Sequence, residues 1–378
     1  MKFVVNRDVF SDAVSFVVKL LPQRPTLPIL SGVVLEATSG ALQLSSFDYE
    51  TSSRTSIEAD ITETGAVLVQ GRLLAEIANR LPQAPVELSR DERGVVIRCG
   101  QASFHLPIMP LEEFPSLPAI EGQQGTVDGA SFAQAVAQVA VAASKEDVAP
   151  VITGVNLTLG ADSLGLLATD RYRVAVRELE WEGGFQQPTT ALVPARTLAE
   201  AAKSLGGAGK LTLTHVVQGE RELIAFSSDH KTVTSLLIKG NFPAVERLFP
   251  TELPHYAVLQ TSELVDAVRR VQLVLEREAA LRFTFTQDGL SLEALGSEQA
   301  QASEQLDVVL HGDDIVVSLK PQFLLDGVLA IHSEFVRIAF TRTENPGKPG
   351  PVLMTGHTSG DQASDSYRYL LQPNLLMR

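Results

Sequence analysis

The sequence predicts an α+β protein made of three similar units, on the evidence of chain length, an internal repeat and alternating strand patterns. The chain has 378 residues, and one third of that length, 126 residues, is close to the commonest size of a folded domain. A helical pattern recurs three times, separated by segments in which apolar and polar residues alternate. We therefore expect three tandem domains, at residues 1–122, 123–252 and 253–378.

Each unit opens with a predicted amphipathic helix. Phe10, Phe132 and Leu264 are each followed three residues later by an Ala-Val pair, at offsets of 122 and 132 residues. Around these positions the apolar residues recur every three or four residues, as on one face of an α-helix. A second helical pattern follows in each unit, over residues 69–81, 193–205 and 319–331. The sequence thus predicts six helices, two in each unit.

Strands are predicted between the helices. Segments 41–45, 211–214 and 282–286 alternate apolar and polar residues, as strands with one buried face do. Turn signals such as Ser39-Gly40 and Asp288-Gly289 separate such segments at the spacing of antiparallel meanders. Proline-rich joints at 115–118 and 250–254 precede the second and third units, where linkers belong. The boundaries near 122 and 252 follow from these joints.

Composition excludes several classes of protein. Hydrophobic residues make up 44% and charged residues 20% of the chain, which is typical of folded globular proteins rather than disordered or fibrous ones. No segment reaches the ~18 consecutive apolar residues of a membrane-spanning helix, and the N-terminus becomes polar at Asn6, too early for a secretion signal. Cys99 is the only cysteine, which excludes an intrachain disulfide and predicts a small buried residue. We expect a cytoplasmic protein.

The sequence shows no convincing pattern for catalysis or metal binding. None of the seven histidines lies three to five residues from another, so no helix face or turn presents a histidine pair to a metal. Gly347-Lys348 lacks the flanking residues of a phosphate-binding loop and is interpreted as a plain turn. The His-Gly-Asp-Asp run at 311–314 is either a solvated turn at a hairpin position, which we favour, or a site for a divalent cation. We predict no catalytic residue, no metal and no cofactor.

Charge is distributed unevenly along the chain. The formal net charge is −14, yet the six helical segments with their flanks carry 14 Lys and Arg against 12 Asp and Glu. Their cations either contact phosphate or are ordinary solvated side chains; they include Arg24, Arg72, Arg80, Arg196, Lys203, Arg269, Arg270 and Arg277. Aromatic residues make up only 6% of the chain, too few for base-stacking platforms. Any contact with DNA should be weak, directed to phosphate and independent of sequence.

Four motifs, together with the three repeats, resemble the bacterial sliding clamps, the β subunit of the replicative DNA polymerase III, in an actinobacterial-like form. They are Met-Lys-Phe at 1–3, Arg-Pro-Thr-Leu-Pro-Ile-Leu at 24–30, Ala-Thr-Asp-Arg-Tyr-Arg-Val-Ala-Val at 168–176 and Gly-Asn-Phe-Pro at 240–243. The likeness covers essentially the whole chain. It implies three DNA-clamp domains, each with two helices packed on antiparallel sheets, and a head-to-tail homodimer that closes as a ring.

The resemblance implies a non-catalytic processivity subunit. Such a ring encircles duplex DNA and tethers the replicative polymerase, the clamp loader and repair proteins. A nearly neutral inner wall suits sliding, and an acidic exterior disfavours stray DNA contacts. Arg24 stands in a matching motif, and the other implied DNA contacts follow from their helices: Arg72, Arg80, Arg196 and Lys203. In the dimer interface, Phe104 is expected to meet Leu273 and Val274 of the second copy.

The resemblance also implies a pocket between the second and third domains that binds short linear peptides. The matching residues are Ile152, Thr169, Arg171, Tyr172, Arg173, Val174, Pro243, Arg247 and Leu248, with Phe323, Leu370, Leu371 and Pro373 from the third domain. Leu370 and Leu371 have an alternative interpretation as plain core residues of an edge strand. The chain departs from the family at Lys320, where an asparagine is usual, and from Gln372 to its end. We therefore expect an altered peptide preference.

Three alternatives stay open at this point. A clamp paralogue, such as a resistance or repair copy, would keep the ring and change its partners, and the unusual C-terminus favours it. A hydrolase or transferase is disfavoured by the missing catalytic patterns. A sequence-specific DNA-binding protein would need a basic recognition helix, which the sequence does not contain.

Overall fold

The computed structural model describes residues 1–146, 149–207, 209–250, 253–276, 279–295, 300–341, 349–357 and 363–375. Two helices per repeat are confirmed within these residues. They are α1 Arg7–Val18, α2 Gly71–Ala78, α3 Gly129–Ala140, α4 Ala195–Leu205, α5 Thr261–Val271 and α6 Pro321–Ile331.

The strands also recur by repeat. The first repeat contains β1 Lys2–Val5, β2 Gly32–Thr38, β3 Ala41–Phe47, β4 Thr51–Glu58, β5 Asp60–Glu63, β6 Gly65–Gln70, β7 Val86–Arg90, β8 Val95–Cys99, β9 Ala102–Leu106 and β10 Ile108–Met109. The second contains β11 Gln123–Asp128, β12 Gly154–Leu159, β13 Ser163–Thr169, β14 Arg173–Glu180, β15 Glu182–Gly183, β16 Thr189–Pro194, β17 Lys210–Gln218, β18 Arg221–Ser228 and β19 Lys231–Leu236. The third contains β20 Tyr256–Gln260, β21 Leu281–Thr286, β22 Gly289–Leu295, β23 Gln301–Leu306, β24 Val309–His311, β25 Ile315–Leu319, β26 Phe335–Phe340, β27 Val352–His357 and β28 Ala363–Leu371. The predicted α+β class is confirmed.

The chain forms two compact units, and the second repeat contributes to both. The first unit comprises Met1–Ala133 and Trp181–Leu237, and the second comprises Gln134–Glu180 and Ile238–Arg378. In the first unit, strands follow the orders β5-β1-β7-β8-β9 and β10-β6-β2-β3-β4-β19-β18-β17-β11-β15. In the second unit they follow the orders β12-β13-β14-β28-β27-β26-β20-β24 and β23-β22-β21-β25.

Strands of neighbouring repeats pair at one point in each unit. In the first unit β4 pairs with β19, and in the second β14 pairs with β28, both antiparallel. Each pairing makes one continuous sheet from two repeats. The boundaries at 122 and 252 stay predictions, and residue 252 lies outside the described residues.

The second helix of each repeat begins later than its apolar pattern predicts. β6 ends at Gln70, β16 at Pro194 and β25 at Leu319, and the helix starts within two residues of each strand end. Near its end each strand has an inward-facing apolar residue at helical spacing from the apolar residues of the helix that follows. The sequence pattern therefore placed the start of each predicted helix too early. At the start of α2 the Gln70 side chain accepts a hydrogen bond from the N–H of Leu73, at 2.6 Å, and so caps the helix.

Residues 311–314 are exposed, as the favoured solvated turn predicts, but the predicted hairpin position is wrong. β24 pairs with β20 and β25 pairs with β21, so this segment connects two different sheets. Within it, the carbonyl of Asp313 lies 2.7 Å from Nε2 of the buried His255. The described residues contain no group of three or more His, Cys, Asp or Glu side chains placed to hold a metal. The turn predicted at Gly347-Lys348 lies outside the described residues.

Two other sequence predictions can be compared with the structure. Cys99 is buried, as predicted, and its thiol lies 3.2 Å from the carbonyl oxygens of Pro82 and Ala84. Among the residues that the structure describes, no helix is both long and apolar enough to span a membrane.

Helix α2 offers a direct test of the core. Leu74 is fully buried, whereas Leu73, beside it on the helix, is 44% exposed. We predict that Leu74→Ala lowers the free energy of unfolding by about 2 to 5 kcal/mol, because it leaves a cavity. The matched variant Leu73→Ala should change it by about 0.5 kcal/mol or less. Thermal unfolding of both variants checks this, and equal shifts in their midpoints would contradict the assigned core.

Candidate functional sites

A tight turn between β13 and β14 builds the centre of the predicted peptide pocket. The Asp170 carboxylate accepts hydrogen bonds from the N–H groups of Tyr172 and Arg173, at 3.1 and 3.2 Å. The hydroxyl of the buried Thr169 accepts from the N–H of Arg171 and donates to the carbonyl of Arg173. Arg171 has a left-handed backbone, with φ of 79°. The turn thus points Arg171 and Tyr172 outward, and Tyr172 is 58% exposed.

Arg173 is buried beneath this turn and joins three elements. Its guanidinium donates to Asp170 at 2.9 Å, to Asp326 of α6 at 2.6 Å and to the Tyr369 hydroxyl of β28 at 3.2 Å. Tyr369 in turn donates to the carbonyl of Phe323 at 2.7 Å. Only 5% of Arg173 is exposed. Its donors are therefore directed at the protein itself, which makes Arg173 a support of the site.

The pKa values of this network reflect burial and charge. Burial alone would lower the pKa of Arg173, but the charges and hydrogen bonds of Tyr369, Asp326 and Asp170 raise it above its ordinary value. Burial raises the pKa of Tyr369, and the nearby Arg173 only partly opposes this. Both raised pKa values favour a charged guanidinium beside a neutral phenol at neutral pH.

An aromatic platform lies above Arg173, and we define it as the rings of Tyr172 and Phe323. The two rings are stacked, with centroids 6.0 Å apart and planes at 29°. The Arg173 guanidinium lies 4.4 Å from the Phe323 centroid. Lys320 places its ammonium 5.9 Å from the Tyr172 centroid and 5.5 Å from that of Phe323. Cation–π attraction holds both cations against the rings.

An apolar floor lies on the other face of the same sheet, and we define it as Val174 and Leu370. These residues are directly opposite each other across β14 and β28, and are 5% and 3% exposed. They pack with Leu167, Ala339 and Leu353. Residues 241–250, which we call the connecting segment, cover this cluster with three partly buried side chains, Phe242, Val245 and Phe249.

The alternative interpretation of Leu370 and Leu371 as edge-strand residues is wrong about the edge. β28 lies between β14 and β27, so it is an interior strand. Leu371 is fully buried and alternates with Leu370, so it faces the helix side together with Tyr369. The predicted pocket residues therefore occupy both faces of one sheet, and Leu371 is a core residue.

The remaining predicted pocket residues lie on the rim or beside it. Pro243, Arg247 and Leu248 are exposed on the connecting segment. Arg368 steadies this segment, with its guanidinium 5.0 Å from the Phe249 ring centroid. Ile152 is buried in a short 3-10 turn, Pro150–Thr153.

The residues that follow β28 bind the β13–β14 turn and β25. Gln372 is exposed, and its N–H donates to the carbonyl of Tyr172 at 2.9 Å. Pro373 is buried, and the N–H of Asn374 donates to the carbonyl of Ser318 at 2.8 Å. The rest of the unusual C-terminus, 376–378, lies outside the described residues.

The first unit contains an equivalent junction with different chemistry. Its β3–β4 turn also has an Asp48 carboxylate that accepts backbone N–H groups and a left-handed residue, Tyr49, with φ of 75°. There the N–H of Leu236 donates to the carbonyl of Glu50, as the N–H of Gln372 does to Tyr172 in the second unit. The strand pair that corresponds to Val174 and Leu370 is Ser52 and Thr234, whose buried hydroxyls hydrogen-bond to each other at 2.6 Å. Of these two junctions, only the second has an apolar floor.

The predicted DNA contacts are all exposed in the first unit. They are Arg24 in the loop after α1, Arg72 and Arg80 on and after α2, and Arg196 and Lys203 on α4. Arg72 donates to the carbonyl of Pro22 at 3.0 Å, and so holds the loop that carries Arg24. Arg80 donates to the carbonyl of Glu76.

The cations of the second unit differ in their surroundings. Arg269 and Arg270 are exposed on α5, and Arg270 is paired with Glu304. Arg277 lies outside the described residues.

The predicted interface residues lie at sheet edges and on an exposed turn. Phe104 is exposed on β9, an outer strand of its sheet. Leu273 is 81% exposed and Val274 is partly exposed, both in a 3-10 turn that follows α5. β23 is an outer strand of its own sheet, with alternate residues exposed.

The structure adds residues that the sequence did not indicate. Asp326 and Tyr369 bind Arg173 from 153 and 196 residues away, and no local pattern marks such a contact. Phe242, Val245 and Phe249 cover the apolar floor. Their positions in and after the Gly-Asn-Phe-Pro motif could have indicated this role, because aromatic residues in a linker usually pack against an apolar surface.

Comparisons with known proteins agree over the whole chain. Profiles of the DNA polymerase III beta subunit match residues 1–118 with the N-terminal domain, 126–244 with the central domain and 246–349 with the C-terminal domain. The chain is 44% identical to the beta sliding clamp of Streptomyces coelicolor over 378 residues, covering 99% of each chain. It is also 44% identical to the beta sliding clamp of Micrococcus luteus, over 82% of this chain and all of that one.

Two further comparisons bear on function and on fold. The chain is 39% identical to the beta sliding clamp homolog GriR of Streptomyces muensis, over 99% of each chain. The crystal structure of a sliding clamp from Pseudomonas aeruginosa bound to griselimycin has the same fold, with a TM-score of 0.91, 23% identity and full coverage of both chains.

The buried Arg173 network can be tested by removing one carboxylate. We predict that Asp326→Asn lowers the free energy of unfolding by about 1 to 3 kcal/mol, because a buried guanidinium loses a charged hydrogen-bond partner. The control is Glu182→Gln, which breaks the solvent-exposed pair with Lys210 and should leave the unfolding midpoint unchanged. Chemical denaturation of both variants measures the effect. If Asp326→Asn unfolds like the wild type, Arg173 does not depend on Asp326.

Proposed function

Because the chain belongs to the DNA polymerase III beta subunit family, the bacterial sliding clamps, we propose that two copies close head to tail as a ring around duplex DNA and tether the replicative polymerase. The observation that carries this proposal is the match of three successive domains, with 44% identity to a sliding clamp over the whole chain. The protein acts as a non-catalytic processivity factor in the bacterial cytoplasm, where the chromosome is replicated.

Weak contact with phosphate is what a sliding ring requires. The exposed cations Arg24, Arg72, Arg80, Arg196 and Lys203 are positioned to attract the DNA backbone without reading its sequence. A ring held by enclosure gains nothing from tight binding, because each strong contact would slow its movement along the duplex. The net charge of −14 supports this interpretation, since the rest of the surface repels DNA.

Ring closure is proposed to join sheet edges of two copies. Outer strands carry unpaired backbone groups that favour pairing with another chain. We place β9, with Phe104, against β23 of the second copy, and Leu273 and Val274 of that copy beside them. Leu273 is 81% exposed in the single chain, and this contact would bury it. A head-to-tail contact of this kind closes when the rotation between copies allows it.

The second unit is proposed to bind short linear peptides of the polymerase, the clamp loader and repair proteins. The apolar floor offers a hydrophobic surface, and the connecting segment that covers it supplies its rim. Such a combination suits a peptide with one or two apolar anchor residues. Phe242, Val245 and Phe249, which cover the floor, would shift to admit an anchor.

A clamp paralogue with a different set of partners is the second candidate. The identity to GriR, 39%, is lower than the 44% to the sliding clamp of Streptomyces coelicolor over the same coverage. This difference favours the general clamp. Both candidates keep the ring, so they differ in partners and not in mechanism.

The ring can be tested by retention on DNA. After loading by a clamp loader, we expect the protein to stay on nicked circular DNA and to slide off the same DNA once it is linearised, at salt concentrations that screen phosphate contacts. The control is Leu273→Ala with Val274→Glu, which should be monomeric in analytical ultracentrifugation and should not be retained. Equal loss of the wild type from circular and linear DNA would refute enclosure.

The peptide site can be tested by giving it the chemistry of the first junction. We predict that Val174→Ser with Leu370→Thr, the residue types of Ser52 and Thr234, lowers peptide affinity at least tenfold, because it replaces apolar floor with hydroxyls. The measurement is fluorescence anisotropy with a labelled clamp-binding peptide of the polymerase. The control Val217→Ser, at an exposed position of β17, should not change the affinity. Unchanged binding by the double variant would place the peptide elsewhere.

A further inference from the structure

We propose that Arg72 is a positioning residue for DNA binding, which directs Arg24 toward the phosphate backbone by holding the loop between α1 and β2. The proposal rests on the function proposed above, since it concerns how the ring contacts the duplex that it encloses. Three features of the first unit support it: the anchors of the loop, its prolines and the equivalent position in the second repeat.

The loop is exposed between two buried anchors. Leu21 and Leu30 are 6% and 1% exposed, whereas Arg24 lies on the surface between them. Among the described residues, the hydrogen bond from the Arg72 guanidinium to the carbonyl of Pro22, at 3.0 Å, is the one that joins residues 22–26 to another element. The hydrogen bonding that directs the exposed part of the loop therefore comes from Arg72.

Prolines make this loop stiff. Pro22, Pro25 and Pro28 recur at every third residue, and each proline ring fixes its own φ at about −65°. Arg24 precedes a proline, so its own backbone is restricted to extended conformations as well. A stiff segment transmits a restraint at Pro22 to Arg24, two residues later, whereas a flexible segment would lose it. The hydrogen bond from Arg72 thus restricts where the Arg24 side chain begins.

The start of α2 gives this contact a firm base. Gly71 lies so close to the loop that a Cβ atom there would come within 2.6 Å of Leu21 Cδ1 and 3.1 Å of the Ser31 carbonyl oxygen. The Gln70 side chain caps the helix, and Leu74 is fully buried. Arg72 therefore reaches the Pro22 carbonyl from a backbone that is itself well fixed.

The second repeat has an arginine at the same position without the same contact. Arg196 lies on α4 as Arg72 lies on α2, two residues before the first buried leucine of the helix. Arg196 is exposed, and within the described residues it has no hydrogen bond or ion pair. Ala195 stands where the first repeat has Gly71, so the close approach of loop and helix belongs to the first repeat. Arg196 is thus available to phosphate, whereas Arg72 already has a partner.

The experiment measures how fast loaded rings slide. A clamp loader places fluorescent rings on primed, stretched DNA with blocked ends, and single-molecule tracking at low salt gives their diffusion coefficients. We expect Arg24→Ala to slide about two- to fivefold faster than the wild type, because one exposed phosphate contact is lost. Arg72→Ala should also slide faster, and Arg24→Ala with Arg72→Ala should slide no faster than Arg24→Ala alone. The matched control is Arg196→Ala, whose effect should multiply that of Arg24→Ala.

A spin label reports on the loop without DNA. Cys99, the only cysteine, is buried, so a label can be attached at Thr26→Cys; it should become more mobile in Arg72→Ala and not in Arg196→Ala. Multiplying effects of Arg24→Ala and Arg72→Ala, or unchanged sliding in either single variant, would overturn the positioning role alone. So would a label that is unaffected by Arg72→Ala. Loss of wild-type rings from end-blocked DNA at high salt would instead refute enclosure, and both proposals would fail.

Discussion

A buried guanidinium must be surrounded by acceptors, and in this protein that requirement organises the second unit. The desolvation of Arg173 is costly unless its donors are satisfied, and Asp170, Asp326 and Tyr369 satisfy them from a turn, a helix and a strand. These elements come from two different repeats. Because all three bind one guanidinium, the spacing between β14, β28 and α6 is fixed. The same spacing positions the aromatic platform on one face of the sheet and the apolar floor on the other.

Repetition of a fold does not repeat its chemistry. The β4–β19 and β14–β28 junctions share their strand pairing, a left-handed turn residue and the backbone hydrogen bond that closes the pair. Among their differences is one cross-strand pair, where hydroxyls stand in the first unit and apolar side chains in the second. The hydroxyls of Ser52 and Thr234 satisfy each other, so that junction is complete without a ligand, whereas Val174 and Leu370 need an apolar cover. The proposed peptide site is thus a local change of residues on a repeated scaffold.

Several exposed cations also form hydrogen bonds or ion pairs within the protein. Arg72 holds the loop that carries Arg24, Arg80 binds a helix carbonyl and Arg270 is paired with Glu304. Each stays exposed while part of its hydrogen-bonding capacity is directed at the protein. Such cations contribute a diffuse positive field and few strong point contacts, as the proposed sliding on DNA would require.

Periodicity alone determined much of this protein: the α+β class, the three repeats and the six helices, because burial of one helix face or one strand face leaves a regular trace in the sequence. It failed where that trace is ambiguous, at residues 69–70, 193–194 and 319–320, where the end of a strand is in phase with the helix that follows. It also failed at 311–314, because a turn between strands carries no information about which sheet each strand joins. The motif at 168–176 marked the position of the site. Only the tertiary structure showed that Arg173 is buried with Asp326 and Tyr369, that Leu371 faces away from Leu370, and that Lys320 lies over two rings. The Arg173 network and the contact of Lys320 with Tyr172 join residues more than a hundred positions apart. A local sequence pattern does not specify which distant strand or helix a segment will pack against.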